Sequence, residues 1–318
     1  MEIIKIHHPY QKETIPTKPV VLALGFFDGV HKGHRTVISR AKKMAEEKNV
    51  ELALMTFNQH PSIVFKKINP EAITYLSTTE RKEEFMAELG VDYLYEVDFT
   101  SSFAALTPQD FVDQYIIGLH AVTVVAGFDY TYGKKEIASM EHLPGYAKGK
   151  FDVVEVGKVT GDGEKISSTR IRKALIDGDI AEANDMLGYI YQTPGIVIHG
   201  DARGRLLGYP TANIDTDSGI GLPKVGVYAV RIKIGKTWHE GMASIGYNIT
   251  FEANRQLSVE VNIFDFNSAI YGEKVSVEWH EYIREEKKFP SVEALIAQLA
   301  QDEIDVRNYF KQLDTTKN

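Results

Sequence analysis

The apolar residues of this chain change their period once, and that change limits the fold more than any single motif. Up to about Gly188, short continuous apolar runs alternate with stretches where apolar residues recur at helical spacing. Val20–Leu24 and Leu52–Phe57 are runs of the kind a strand buried on both faces requires. Between them, Val37, Ile38, Ala41, Met44 and Ala45 mark one face of a helix. Ser77 with Glu80 reads as a capping box ahead of Phe85, Met86 and Leu89, and Gly90 ends that helix. Val91–Phe99, Ala121–Ala126 and Phe151–Val159 are further strands, and Thr107 caps a helix with Pro108 in its first turn. Such alternation, joined by right-handed crossovers, predicts an α/β domain with a doubly wound parallel sheet.

Beyond Gly188 the period is two. Tyr228, Val230, Ile232 and Ile234 alternate with Ala229, Arg231 and Lys233, and Leu257, Val259, Val261 and Ile263 alternate with Ser258, Glu260 and Asn262. Val275, Val277 and Trp279 repeat the pattern, and Gly-rich turns separate the strands. This predicts a small antiparallel β-barrel, closed by a helix after Ser291 that carries Val292, Leu295, Ile296 and Leu299 on one face. The expected organisation is α/β plus β, with domains over residues 1–186 and 187–318. A chain of 318 residues is long enough for a core in each.

Composition removes several function classes. The 44 acidic residues outnumber the 36 basic ones, for a net charge of −8, so neither nucleic acid nor an anionic membrane is an expected partner. With no cysteine, the chain has no disulfide, Cys-ligated zinc, iron–sulfur cluster or thiol nucleophile. The opening residues show no basic stretch leading into a long apolar one. The longest apolar run, Val20–Phe27, is far short of the roughly 20 residues that span a bilayer. A soluble, cytoplasmic protein is expected, and its oligomeric state is left open.

The stretch Gly25-Phe-Phe-Asp-Gly-Val-His-Lys-Gly-His34 stands between the first buried strand and the first helix. That is where α/β sheets bind ligands, and a helix start offers free N–H groups to an anion. His31 and His34, three residues apart, can aim two imidazoles at one phosphoryl group and stabilise charge developing there. Two rival readings stand beside this one. Zinc would need a third ligand, with His60 and His7 the candidates, and a purely structural Gly-rich turn needs no ligand at all. A second cluster, Lys165-Ile-Ser-Ser-Thr-Arg-Ile-Arg172, opens another helix with hydroxyls and arginines. It suits an anion and equally suits a helix cap. Asn58, in TFNQHP, and Asp129, in GFDYTYG, end two strands at the same sheet edge, as nucleotide contacts or as turn residues.

In the second half no Walker A loop and no GxGxxG is present. Gly195, Gly200, Gly204 and Gly208 lead instead into Gly208-Tyr-Pro-Thr211-Ala-Asn213, whose Thr211 and Asn213 offer hard oxygens to Mg²⁺ or simply form a turn. Glu260 sits on a strand face opposite Val259 and Val261, as a solvated carboxylate or as a base for an alcohol.

In this order, GFFDGVHKGH, TFNQHP, GFDYTYG and KISSTRIR resemble the adenylyltransferase module of the prokaryotic bifunctional riboflavin kinase/FAD synthetase family, a branch of the HxGH nucleotidyltransferases. GRLLGYPTAN, GVYAV, VEVNIFDF and IREEKKF resemble its riboflavin kinase module. The resemblance spans nearly the whole chain. It implies that riboflavin and ATP give FMN, and that FMN and a second ATP give FAD and pyrophosphate, with Mg²⁺ at each site. It also implies residue roles. His31 and His34 would act on the ATP phosphates, which Gly25, Phe27, Asp28, Gly29, Gly33, Ser168, Thr169 and Arg172 would surround. Asn58 and Asp129 would help build the nucleotide and flavin pocket. In the barrel, Gly204 and Gly208 would shape the ATP loop, Thr211 and Asn213 would hold Mg²⁺–ATP, Glu260 would take the proton from the ribityl 5′-hydroxyl, and Arg284 would lie near the flavin.

Five positions depart from the family pattern. Lys165 replaces a frequent arginine, Ala138 and Ser139 a Gly-Asp pair, Ile249 a proline and Asn262 a histidine. An enzyme with one live site, or a flavin-binding regulator that turns over no ATP, are the alternatives. Retained His31, His34, Thr211, Asn213 and Glu260 weigh against the regulator, since binding alone needs no base.

Overall fold

Val20–Leu24 is buried at every residue because it lies inside a sheet with helices against both faces. The computed structural model describes residues 1–65, 73–200, 203–247 and 257–316. Ile249 lies outside them. Two compact units are present, Met1–Ser168 and Thr169–Asn318.

In the first unit, β1 (Glu2–Ile6), β2 (Val20–Leu24), β3 (Glu51–Phe57), β4 (Tyr93–Val97), β5 (Ala121–Gly127) and β6 (Asp152–Val156) form one sheet in the order β1-β4-β3-β2-β5-β6. All five pairings are parallel. Helix α1 (Lys32–Lys48) links β2 to β3 and buries Val37, Ile38, Ala41 and Ala45, the face set by the sequence period. Between β3 and β4 lie α2 (Ser62–Phe65) and α3 (Thr79–Glu88). The short helices α4 (Ser101–Ala104), α5 (Pro108–Val112) and α6 (Leu143–Ala147) contribute Phe103, Phe111 and Leu143 to the core that also holds Leu22, Leu24 and Met55. A small hairpin follows, β7 (Thr160–Gly161) with β8 (Glu164–Lys165).

Two local readings change. The sequence signal misses β1, an edge strand whose only buried residues are Ile4 and Ile6. The cap of α3 is Thr78, whose hydroxyl accepts the Arg81 N–H at 3.2 Å. The Ser77 hydroxyl instead accepts the Gly29 N–H at 3.2 Å.

The second unit begins with α7 (Ser168–Asp177, its first residue at the division) and α8 (Ile180–Leu187). Its strands β9 (Gln192–Ile198), β10 (Ala212–Thr216), β11 (Gly226–Ile234), β12 (Thr237–Tyr247), β13 (Leu257–Ile263) and β14 (Lys274–Arg284) close into a barrel, β10-β13-β12-β11-β14-β9. A short α9 (Arg203–Leu206) precedes β10, and α10 (Val292–Thr316) ends the unit. Tyr228, Val230, Ile232, Val259, Val261, Val277 and Trp279 fill the interior, as period-two alternation requires. The docked part of α10 is later than the sequence suggests. Val306 and Phe310 pack with Ala229, Met242 and Phe264, helped by Leu299, while Val292 and Ile296 are exposed.

Candidate active sites

Strand order places the first site. From β2 the chain crosses through α1 to β3 on one side, and from β5 it crosses to β6 on the other. A crevice opens at the carboxyl ends of strands where connections diverge in this way. The loop after β2 is Gly25–His31, and the loop after β5 contains Phe128, Asp129 and Tyr130.

The backbone of the first loop is strained. Phe27, Gly29 and Val30 have φ of 54°, 76° and 36°. Positive φ is costly for a β-branched valine and persists only where the surroundings over-determine it. They do so here. Val30 donates its N–H to the Phe27 carbonyl at 3.2 Å. Asp28 Oδ1 accepts the Leu76 N–H at 2.9 Å, and its carbonyl accepts the Ser168 hydroxyl at 3.0 Å. Phe27, Asp28 and Val30 are buried. Asp28 and Ser168, both phosphate candidates from sequence, thus have a demonstrated task in shaping the loop.

His31 is the N-cap of α1, its Nδ1 accepting the His34 N–H at 3.2 Å. In a neutral ring, a nitrogen that accepts carries no proton, so the proton of His31 lies on Nε2, which is a donor. Gly33 is what allows this fold-back, because a Cβ there would lie 3.1 Å from His31 Cε1. The two imidazoles stack with centroids 3.6 Å apart and planes 15° from parallel, and the His34 ring meets Phe27 edge-on at 5.4 Å. Burial, then the adjacent His31 and the ammonium groups of Lys82 and Lys165, hold the His34 pKa well below the ordinary histidine value. His34 is therefore neutral at pH 7.

A depressed histidine has a stability consequence of fixed sign. Below about pH 6.5 the unfolded chain takes up a proton that native His34 refuses, so stability present above that pH is lost as pH falls. The slope from one such site is at most about 1.4 kcal/mol per pH unit. Hydrogen exchange of α1 amides between pH 7 and pH 5 checks this, with His34→Gln expected to flatten the dependence.

The remaining candidates of this unit divide. Asp129 forms an ion pair with Lys165, whose ammonium also lies 4.8 Å from the Phe128 ring centroid. This joins the GFDYTYG loop to the KISSTRIR stretch. Asn58 is used locally, donating to Asp98 Oδ1 and accepting the Phe99 N–H, each at 3.0 Å. Gly25 packs under the Phe27 ring, 2.8 Å from where a Cβ would stand. Thr169 is exposed and Arg172 half-buried on α7. His7 pairs with Asp98 at 2.9 Å, and His60 accepts the Ser62 N–H through Nδ1 at 3.2 Å. Among the described residues no three His, Asp or Glu side chains converge on a metal-binding point. Ala138, one of the departures, is fully buried and packs where a Cβ on Gly133 would stand 3.0 Å away; its carbonyl accepts the Tyr132 N–H at 3.0 Å. Its neighbour Ser139 pairs with His142 Nδ1 at 2.8 Å.

In the barrel, the register sets Asn213 of β10 opposite Glu260 of β13. Thr211, just ahead of β10, donates its hydroxyl to Glu260 Oε2 at 2.9 Å. The Asn213 amide fills the space beside Gly200, and Gly204 lies so close to the Tyr209 carbonyl that a Cβ would come within 2.2 Å. Gly208, at φ 84°, makes the turn into Tyr209-Pro210. Asn262 holds this segment from below, its Nδ2 donating to the Pro210 carbonyl at 2.8 Å. The sequence treats Asn262 only as a departure from a family histidine; the structure gives it an anchoring task.

Arg284 is occupied. Its Nε and Nη2 form a fork to Asp302 at 2.8 and 2.6 Å, and Gln298 donates to the same carboxylate at 2.8 Å. Asp302 is fully buried, so this pair fastens α10 to β14. Arg284→Met is expected to cost the barrel unit about 3–5 kcal/mol by stranding a buried charge. Both tryptophans, Trp238 and Trp279, lie in this unit, so their fluorescence in urea reports the loss. Unchanged stability with weakened riboflavin binding would contradict this assignment.

A parallel sheet with an HxGH loop at its switch point, followed by a small barrel presenting Thr-Asn-Glu oxygens, defines the class: a phosphorus-group transferase with two sites. Residues 14–170 match the family model for FAD synthetase and residues 187–310 that for riboflavin kinase. The bifunctional riboflavin kinase/FMN adenylyltransferase of Listeria monocytogenes is 50% identical over 99% of this chain and 100% of its own. That of Bacillus subtilis is 44% identical over 98% and 99%. A crystallised protein from Streptococcus pneumoniae, described as a macrolide-efflux protein, superposes with a TM-score of 0.89 at 40% identity, covering 96% of this chain and 99% of that one. Among the described residues no helix is long and apolar enough to cross a membrane. This chain belongs to the bifunctional riboflavin kinase/FMN adenylyltransferase family and carries both of its enzymatic domains.

Proposed function

We propose that the chain makes FAD from riboflavin in two steps, in the cytoplasm, with the barrel as kinase and the parallel-sheet unit as adenylyltransferase. The observation that carries the site assignment is the 2.9 Å hydrogen bond joining Thr211 to Glu260, residues far apart in sequence, with Asn213 in register beside them.

In the kinase step an alcohol is the nucleophile and needs a base. Glu260 takes the proton from the 5′-hydroxyl of riboflavin as that oxygen bonds to the γ-phosphorus of ATP and ADP leaves. The Thr211 hydroxyl, by donating to Oε2, orients the carboxylate and keeps its own lone pairs for a cation. Hydroxyl, amide and carboxylate oxygens are a hard donor set, so the residues present suit Mg²⁺ shared with ATP, held by Thr211 and Asn213. When bound, Mg²⁺ neutralises charge on the transferring phosphates. Gly204 and Gly208 shape the loop that admits the triphosphate.

In the adenylyl step the FMN phosphate is already an anion, so no base is needed. Its oxygen bonds to the α-phosphorus of ATP as the bond to pyrophosphate breaks. Nε2–H of His31 donates to the charge that develops. The buried Nδ1 of His34 has no hydrogen-bond partner, a costly state that a phosphate contact relieves. Lys165 supplies positive charge, Ser168 holds the loop through the Asp28 carbonyl, and Asn58 and Asp129 flank the nucleotide and flavin.

Incubating the full chain with riboflavin, ATP and Mg²⁺ and separating the products tests the reading. FMN followed by FAD is expected. FMN alone, or FAD only from supplied FMN, would mean one live site, and flavin binding without product would mean a regulator.

A further inference from the structure

Lys82 is a buried lysine, 5% exposed, on α3, and neither the sequence motifs nor the mechanism above uses it. Its Nζ donates to the Phe26 carbonyl at 3.3 Å, the Thr56 hydroxyl at 3.3 Å and the Phe57 carbonyl at 3.5 Å. Thr56 in turn donates to the same Phe26 carbonyl at 2.8 Å. These oxygens stand at the carboxyl ends of β2 and β3, where the strained Gly25–His31 loop leaves the sheet. The Phe26 ring covers the ammonium at 4.9 Å.

An ammonium has three protons, and all three are matched by uncharged oxygens. Lys82 therefore has no proton to offer a substrate. Burying a charge on neutral acceptors is expensive, and an apolar side chain of the same length is the cheaper way to fill such a space. We propose that Lys82 is a positioning residue for adenylyl transfer: it ties the root of the His31/His34 loop to β3 and places a positive charge behind the phosphate site. The proposal rests on the reading that this loop is the adenylyl site.

The charge acts on His34, which also faces His31 and Lys165, and Lys82 itself feels Asp28, Glu83 and Glu96. Its cation helps keep the His34 imidazole neutral, and it draws charge toward a triphosphate without touching it. A scaffold of equal shape but no charge does neither.

The test uses the full chain with Lys82→Met and Lys82→Arg, and His34→Ala alongside. Lys82→Met is expected to lower the turnover of FAD from FMN by about 10- to 100-fold, less than the loss of a donor that touches substrate. The KM for FMN and the kinase turnover stay unchanged. In NMR titrations of the ligand-free protein, with the His34 signal assigned by its loss in His34→Ala, Lys82→Met raises the His34 pKa. Lys82→Arg, which keeps the charge, leaves that pKa in place and restores turnover to within about fivefold, its planar fork fitting the three oxygens less well. A folded Lys82→Met with wild-type turnover, or with an unmoved His34 titration, overturns the proposal. Should Lys82→Met not fold, Lys82→Arg decides: more than about tenfold loss with an unmoved His34 titration shows a scaffold alone. If His34→Ala itself keeps full adenylyl transfer, the site reading has failed rather than the role of Lys82.

Discussion

Glu260→Gln is expected to slow FMN formation from riboflavin by about 10²–10⁴-fold while FAD formation from supplied FMN continues at the wild-type rate. Glutamine keeps the shape of the side chain and its hydrogen bond with Thr211, but cannot accept a proton from an alcohol. The asymmetry follows from the nucleophiles. The ribityl hydroxyl must lose its proton as it attacks, whereas the FMN phosphate brings its own negative charge. Product chromatography with riboflavin in one reaction and FMN in another reads both rates from one preparation. Equal loss of the two activities would count against Glu260 as the base, since its only described side-chain partner is Thr211 of the same barrel.

The mirror-image result is expected from the other half. His34→Ala should lower adenylyl transfer by about 10²–10³-fold, the cost of one donor aimed at developing charge, and leave the kinase step intact. His31→Ala should do at least as much, because His31 has two tasks. Besides its Nε2–H it caps α1, and losing that cap costs about 1 kcal/mol of helix stability. His31→Asn keeps a capping oxygen while removing the imidazole. If His31→Asn retained full FAD production, the histidines would be structural, and the strained loop would lack the function assigned to it.

Much of this arrangement is legible in the sequence. Continuous apolar runs gave β2 and β3, and period-two alternation gave the interior of β11, β13 and β14, because burial on two faces and on one face leave different patterns. HxGH between strand and helix pointed to the first candidate site, and PTAN with Glu260 to the second. What stayed hidden is what depends on contacts between distant segments. Ser77 looks like a helix cap because serine before Glu80 fits that signature; only the fold shows its hydroxyl on the Gly29 N–H. Lys82 lies on the same helix as Glu80, Glu83 and Glu84 and reads as one more solvated charge. Its burial goes with the oxygens its ammonium reaches, those of Phe26, Thr56 and Phe57. Arg284 and Asp302, eighteen positions apart, give no local sign of pairing. Asn262 looked like a lost histidine, yet it is the donor that fixes Pro210.

The most direct measurement is a crystal structure of the full chain with a non-hydrolysable ATP analogue and Mg²⁺. It should show one triphosphate with its α-phosphorus within hydrogen-bond reach of the His31 and His34 rings, and another with its γ-phosphate beside Thr211, Asn213 and Glu260. Nucleotide bound away from those imidazoles and that carboxylate, or both groups turned into packed interior, would contradict the account.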